Sequence, residues 1–149
     1  MLSTTHSLTS ALIVSQIPSP IISFPLIIIG HYLLDAIPHW DTGTGLTSGT
    51  KTKKQAFFAT LIDLMIAVIS VFLLFQVGKK LSIKLWLGVV AGIAPDILEA
   101  PALFLNYRPF PINWLERLHI FFHRRWQFPY GLIPQIIIIA FILLITFLT

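Results

Sequence analysis

The chain has 149 residues, of which 56% are hydrophobic and only 11% charged, against roughly 25% charged in ordinary soluble domains. Together with a mean hydropathy of +0.85, this excludes a water-soluble globular domain and points to an integral membrane protein. The net charge of +4 lies in short loops between apolar runs, where it reads as a topology signal and lipid headgroup contact, not as a nucleic-acid surface.

No Gly/Ser-rich or charged linker divides the chain, so one helical membrane domain over residues 1–149 is expected. Residues 1–10 contain no Lys or Arg, unlike the start of a secretory signal peptide, and read as mature protein. A bilayer core needs about 20 apolar residues per helix. Residues 3–16 fall short of that and end at "IPSPI", which suits a short or re-entrant helix paired with the next one. Residues 20–37 form the next apolar run, and Pro38 should end it, because proline lacks a backbone donor and pushes Ile37 toward extended geometry. Residues 55–77 are a clear span. Residues 83–105 are another, interrupted by Pro95 and Pro101, with Pro95 suited to the first position of a new helical piece. "PINWLERLHIFFHRRW" mixes large apolar residues with Arg and His. It reads as an amphipathic helix lying in the interface, with Asn113 and Glu116 as N-cap and reciprocal partner. Residues 130–148 close the chain as a last span. The expected fold is all-α: four to five transmembrane or re-entrant helices plus one interfacial helix.

If all five apolar segments cross the membrane or reverse the chain, Lys51, Lys53, Lys54, Arg108, Arg117, Arg124 and Arg125 share a face with the N-terminus. Lys79, Lys80 and Lys84 lie opposite. Seven against three places the N-terminal face in the cytoplasm, and hence the protein in the inner (cytoplasmic) membrane. Trp40, Trp114 and Trp126 then fall near that interface and Trp86 near the other, as an aromatic belt requires.

With this topology the five His and six acidic residues all fall in one leaflet or just outside it. His31 and Asp35 share a helix face at i, i+4, as do His119 and His123. His39 and Asp41 can fold back over the helix end on the turn after Pro38. Asp96 and Glu99 lie one turn apart, and Asp63 lies about 12 Å into its span at 1.5 Å per residue. Ionisable groups in apolar spans are costly and tend to mark function.

Cysteine is absent, so a metal here must be held by His, Asp, Glu, backbone or water; imidazoles and carboxylates without thiolates suit Zn first, with Mn or Fe as alternatives. His6, His31, Asp35, His39, Asp41, Asp96, His119 and His123 are more candidates than one tetrahedral ion can use, and a two-metal site is expected. Glu99 and Asp63 are the candidate catalytic carboxylates, Glu99 as general acid or base or as a further ligand. Arg124 and Arg125 are candidates for contact with a substrate phosphate.

The stretches "TTHSLTSALI", "GHYLLDAIPHWD", "GVVAGIAPDILE" and "LHIFFHRR" together resemble the bacterial family of membrane-bound metal-dependent hydrolases, with a fainter likeness to zinc-dependent phospholipase C. The resemblance implies metal binding at His6, His31, Asp35, His39, Asp96, His119 and His123. The closing stretch departs from the "HRGxTHS" form of the hydrolase family. The function expected is hydrolysis, at the cytoplasmic interface, of a phosphoester in a phospholipid or lipid-linked substrate. The alternatives are a metal or proton transporter, or a non-catalytic scaffold whose metal staples helices. Membrane lipids are the expected partners.

Overall fold

The computed structural model describes residues 1–46 and 48–148. Its helices are α1 (Ser3–Gln16), α2 (Pro20–Ala36), α3 (Lys53–Val71), α4 (Ile83–Leu105), α5 (Ile112–Phe122) and α6 (Ile133–Leu148). A π-helical turn, Phe72–Gln76, prolongs α3, and a 3₁₀ turn, Tyr130–Leu132, leads into α6. Beyond helices and turns, a single backbone bridge pairs His39 with Arg125 among the described residues.

Three of these elements are long and apolar enough to cross a membrane: Lys53–Gln76, Ile83–Leu105 and Tyr130–Leu148. Large apolar side chains cover their outer faces, including Ile62, Met65 and Ile69 on α3, Val90 on α4 and Ile137 and Phe141 on α6. Exposed apolar surface of this extent marks a membrane or protein contact face. At 17 residues α2 is a shorter apolar helix.

The short helix α1 occupies the middle of the bundle and packs against α2, α3, α4 and α6. It can do so because its sides carry small residues. Ser7, Ser10, Ala11 and Val14 are all buried, and small residues let membrane helices approach closely. The partner surface on α4 is Gly88 and Gly92. A Cβ on Gly92 would collide with Ser10 Oγ, and one on Gly88 with the Val14 side chain. The apolar core of Leu8, Val14, Ile27, Phe75, Leu85, Val89 and Ile142 fills the half of the bundle around the end of α1. The polar residues collect around its beginning.

Local chemistry sets the helix ends. Thr52 and Gln55 form a capping box at the start of α3, which satisfies two otherwise unpaired backbone donors. α2 stops at Ala36 with Ile37 extended (φ −76°, ψ 129°), as Pro38 dictates. Two expectations are corrected. α4 runs unbroken through Pro95 and Pro101, because tertiary packing holds the helix together across positions where proline removes a hydrogen bond. α5 begins at Ile112 with Pro111 at the N-cap position, so Asn113 lies inside the first turn and does not cap it. Glu116 instead accepts two hydrogen bonds from Arg108 Nε, at 2.8 and 3.0 Å.

Candidate metal centre

Helix geometry starts the cluster. His31 and Asp35, one turn apart on α2, are both buried, with His31 Nε2 3.4 Å from Asp35 Oδ2. His31 Nδ1 donates to the carbonyl of Gly92 at 2.8 Å. This contact fixes the tautomer and turns the Nε2 lone pair toward the carboxylate. Across the gap, α5 presents His119, whose Nε2 lies 3.4 Å from Asp35 Oδ2, and α4 presents Asp96, whose Oδ1 lies 3.8 Å from His31 Nε2. His31, Asp35, Asp96 and His119 form one group able to hold a metal ion.

A second group, His39 and His123, shares Asp35. His39 Nε2 is 3.6 Å from Asp35 Oδ1 and 2.7 Å from His123 Nε2. Its Nδ1 donates to the Ile37 carbonyl at 2.7 Å, which leaves Nε2 as the unprotonated nitrogen of the neutral ring. A backbone clasp sets these two histidines. Arg124 N–H donates to Asp35 O at 2.9 Å, His39 N–H to Arg124 O at 3.0 Å, and Trp126 N–H to His39 O at 2.6 Å.

The 3.4 Å separations of His31 Nε2 and His119 Nε2 from Asp35 Oδ2 suit an ion. Two ligands about 2.0–2.1 Å from zinc at the tetrahedral angle lie roughly 3.3–3.4 Å apart. His31 Nε2 and Asp35 Oδ2 are both buried and have no hydrogen-bond partner. Buried polar atoms are nearly always paired, and a cation between these two would satisfy both. Burial pushes the His39 imidazole down to about 4, helped by the nearby positive amino group of Met1. It pushes His119 down to about 3, outweighing the attraction of Asp35. Both rings are therefore neutral at physiological pH, the form that ligates metal.

The remaining expected residues fall into distinct places. His6 stacks on His31, with ring centroids 4.1 Å apart, and its Nε2 meets Asp35 Oδ1 at 3.2 Å. The Met1 amino group pairs with the same oxygen. His6 thus supports Asp35 from behind and lies outside both ligand groups. Asp41 also lies outside them. Its Oδ2 meets His123 Nε2 at 2.8 Å and accepts from Arg125 Nε at 3.2 Å. Burial opposes its ionisation, yet these two partners hold its carboxyl well below the usual carboxylate range. Glu99 Oε2 is 3.2 Å from His119 Nδ1, and Glu99 and Asp96 both line a cavity between α3 and α4. Arg125 is engaged with Asp41, while Arg124 is exposed and enters the site through its backbone.

Asp63 lies outside both groups. Its carboxylate accepts from Ser3 N–H at 2.6 Å, Thr4 N–H at 3.2 Å and Thr4 Oγ1 at 2.7 Å. A carboxylate at the first free N–H groups of a helix is a cap favoured by the helix dipole.

Two residues that sequence reasoning missed complete the frame. Gln135 on α6 is fully buried. Its Oε1 accepts from Leu2 N–H at 2.9 Å and its Nε2 donates to Trp40 O at 2.8 Å. The available signal was a lone amide in the otherwise apolar run "IPQIIIIAFILL". Gly131 accepts from Trp40 N–H through its carbonyl at 2.9 Å, and a Cβ there would collide with that same Trp40 nitrogen.

Fold and site together describe a helical protein with three candidate membrane spans and a buried His/Asp cluster able to hold a metal ion. No protein-family model matches the chain, and no curated protein or solved structure is significantly similar to it.

Proposed function

We propose that the protein is a membrane-embedded hydrolase using two divalent metal ions, Zn first among them, at the cytoplasmic interface on a phosphoester of a lipid or lipid-linked molecule. One observation carries this reading. The buried Asp35 carboxylate is common to both histidine groups, and Asp96 of the first group reaches the wall of a cavity that Glu99 also lines. A purely structural metal site is closed, whereas a catalytic one keeps a side open to substrate with a proton-transfer group near.

Ions bound there would supply Lewis-acid stabilisation of the ester oxygens and a water that loses its proton near neutral pH. The chain's own residues do the rest. His31 and His39 are aimed by their Nδ1 contacts to Gly92 and Ile37. Asp41 and Arg125 hold His123. Glu99, against His119 Nδ1 and facing the cavity, is placed to accept a proton from the attacking water and return it to the leaving oxygen. The cationic residues of loop 40–54 and segment 106–129 favour an anionic, membrane-bound substrate.

A transporter fits less well. Transport sites usually lie near the midplane with access from both faces, whereas the half of the bundle beyond this cluster is filled by Val14, Phe75 and Leu85 and carries no His or acid.

The test combines elemental analysis of detergent-purified protein with a phosphoester hydrolysis panel. Wild type should hold about two transition-metal ions per chain, and Asp35→Asn should lose both because the two groups share that carboxylate. His31→Ala should lose at least one. Hydrolysis should stop on chelation and return with Zn or Mn. Wild type that stays metal-free after reconstitution would sink the reading. Metal-loaded protein that hydrolyses nothing, while chelation lowers its melting temperature, would make the centre a helix staple.

A further inference from the structure

The cavity beside the centre is mostly apolar, which the proposed chemistry alone does not require. It measures about 220 Å³, larger than the roughly 150 Å³ apolar cavity that takes up a benzene ring in an engineered protein. Phe57, Leu61 and Leu64 of α3 line one wall, and Ile97, Leu103 and Phe104 of α4 the other. Asp96, Glu99, His119 and His123 also line it. The lining therefore combines the carboxylates and imidazoles of the centre with a larger hydrocarbon surface from α3 and α4.

Its sides show how a ligand reaches it. Both α3 and α4 pack on α1, which backs the cavity with Met1 and Ser3. Near the loop end the two helices are tied together. Lys53 Nζ donates to Phe104 O at 3.3 Å and to Asn106 Oδ1 at 3.0 Å, and Phe57 packs edge-on against Phe104 with centroids 5.7 Å apart. The bridge narrows the aqueous approach between the helix ends. The cavity lies between α3 and α4, two helices that are each long and apolar enough to span a bilayer. A small water-soluble phosphoester would leave these apolar walls facing water, which is unfavourable in proportion to the apolar area exposed. An alkyl chain arriving from the bilayer covers them.

We propose that the α3–α4 cavity binds the alkyl chain of a phosphate-bearing lipid, which enters sideways from the membrane and presents its phosphate to the His/Asp centre. This deepens the hydrolase reading and rests on it for the fate of the phosphate, while the seating of the chain is testable without turnover.

The probe is dodecyl phosphate with a diazirine near the chain terminus, photolysed on the purified full-length protein and mapped by mass spectrometry. Labels should concentrate on residues 57–64 and 97–104 and be displaced by unlabelled dodecyl phosphate. Leu61→Trp, which narrows the cavity from the α3 wall, should cut this labelling at least about fivefold with metal content unchanged. Ile97→Trp does the same from the opposite wall should the first variant not fold. Labels spread along α2 and α6 without competition would overturn the proposal, as would undiminished labelling in a folded tryptophan variant. A nitrophenyl phosphodiester series from ethyl to dodecyl separates the two readings. Localised labelling without hydrolysis keeps the lipid cavity and removes the hydrolase. Hydrolysis with no gain from ethyl to dodecyl and no localised label keeps the hydrolase and removes the cavity. A preference for dodecyl over ethyl of at least about tenfold that is lost in Leu61→Trp supports both.

Discussion

Four aspartates stand in this chain, and their surroundings give them different work. Asp35 and Asp96 contribute to a group able to hold metal, Asp41 holds His123, and Asp63 caps α1. The distinction predicts opposite behaviour on substitution. Asp63→Asn keeps the shape but loses the charge at the helix N-terminus and one acceptor, so stability should fall by about 1–2 kcal/mol. Metal content should stay at the wild-type level, which thermal unfolding and elemental analysis on one sample will check. Glu99 differs again, because it touches His119 from the cavity side. Glu99→Gln should retain metal and melting temperature, while hydrolysis falls about 10²-fold or more, as loss of a general acid or base does. Loss of metal in that variant would reassign Glu99 as a ligand.

At the scale of elements, the centre depends on contacts made by residues with no chemistry of their own. α1 reaches the middle of the bundle because α4 offers Gly88 and Gly92. Gly92→Val would force the two helices apart. Since the Gly92 carbonyl also receives His31 Nδ1, metal affinity should fall together with stability, by roughly 1–3 kcal/mol in the latter. Gln135 joins α6 to the start of α1 and to the loop carrying His39. Gln135→Leu leaves buried backbone groups unpaired and should cost roughly 2–4 kcal/mol in thermal unfolding. Equal melting temperatures for wild type and Gln135→Leu would show that the loop holds His39 without help from α6.

On the scale of the whole molecule, the separation of polar and apolar halves sets what orientation means for function. The cluster lies at the end that carries loop 40–54 and segment 106–129, with seven of the ten Lys and Arg residues. Positive charge favours the cytoplasmic side. A reporter that fluoresces only in the cytoplasm should therefore light up when inserted at Gly49 and stay dark at Lys80. The reverse pattern would put the centre on the outer face and change the class of substrate available to it.

Much of this was legible in sequence because hydrophobic length and local periodicity are local properties. The three long apolar runs, the end of α2 at Pro38 and the i, i+4 pairing of His31 with Asp35 follow from bilayer thickness, proline sterics and 3.6 residues per turn. The expectation that every His and acid lies toward one side rested on an assumed alternation of spans. What only the tertiary structure decided was how those groups divide their partners. Asp35 is shared by two histidine groups because α5 and the loop after Pro38 meet over it, through a backbone clasp that leaves no mark in composition. Asp63 is drawn away from the cluster because the first N–H groups of α1 reach it first. Pro95 stays inside a helix because packing on α1 and α2 outweighs one missing hydrogen bond. Local spacing determines which residues can share a helix face, and only long-range packing determines which carboxylate each of them meets.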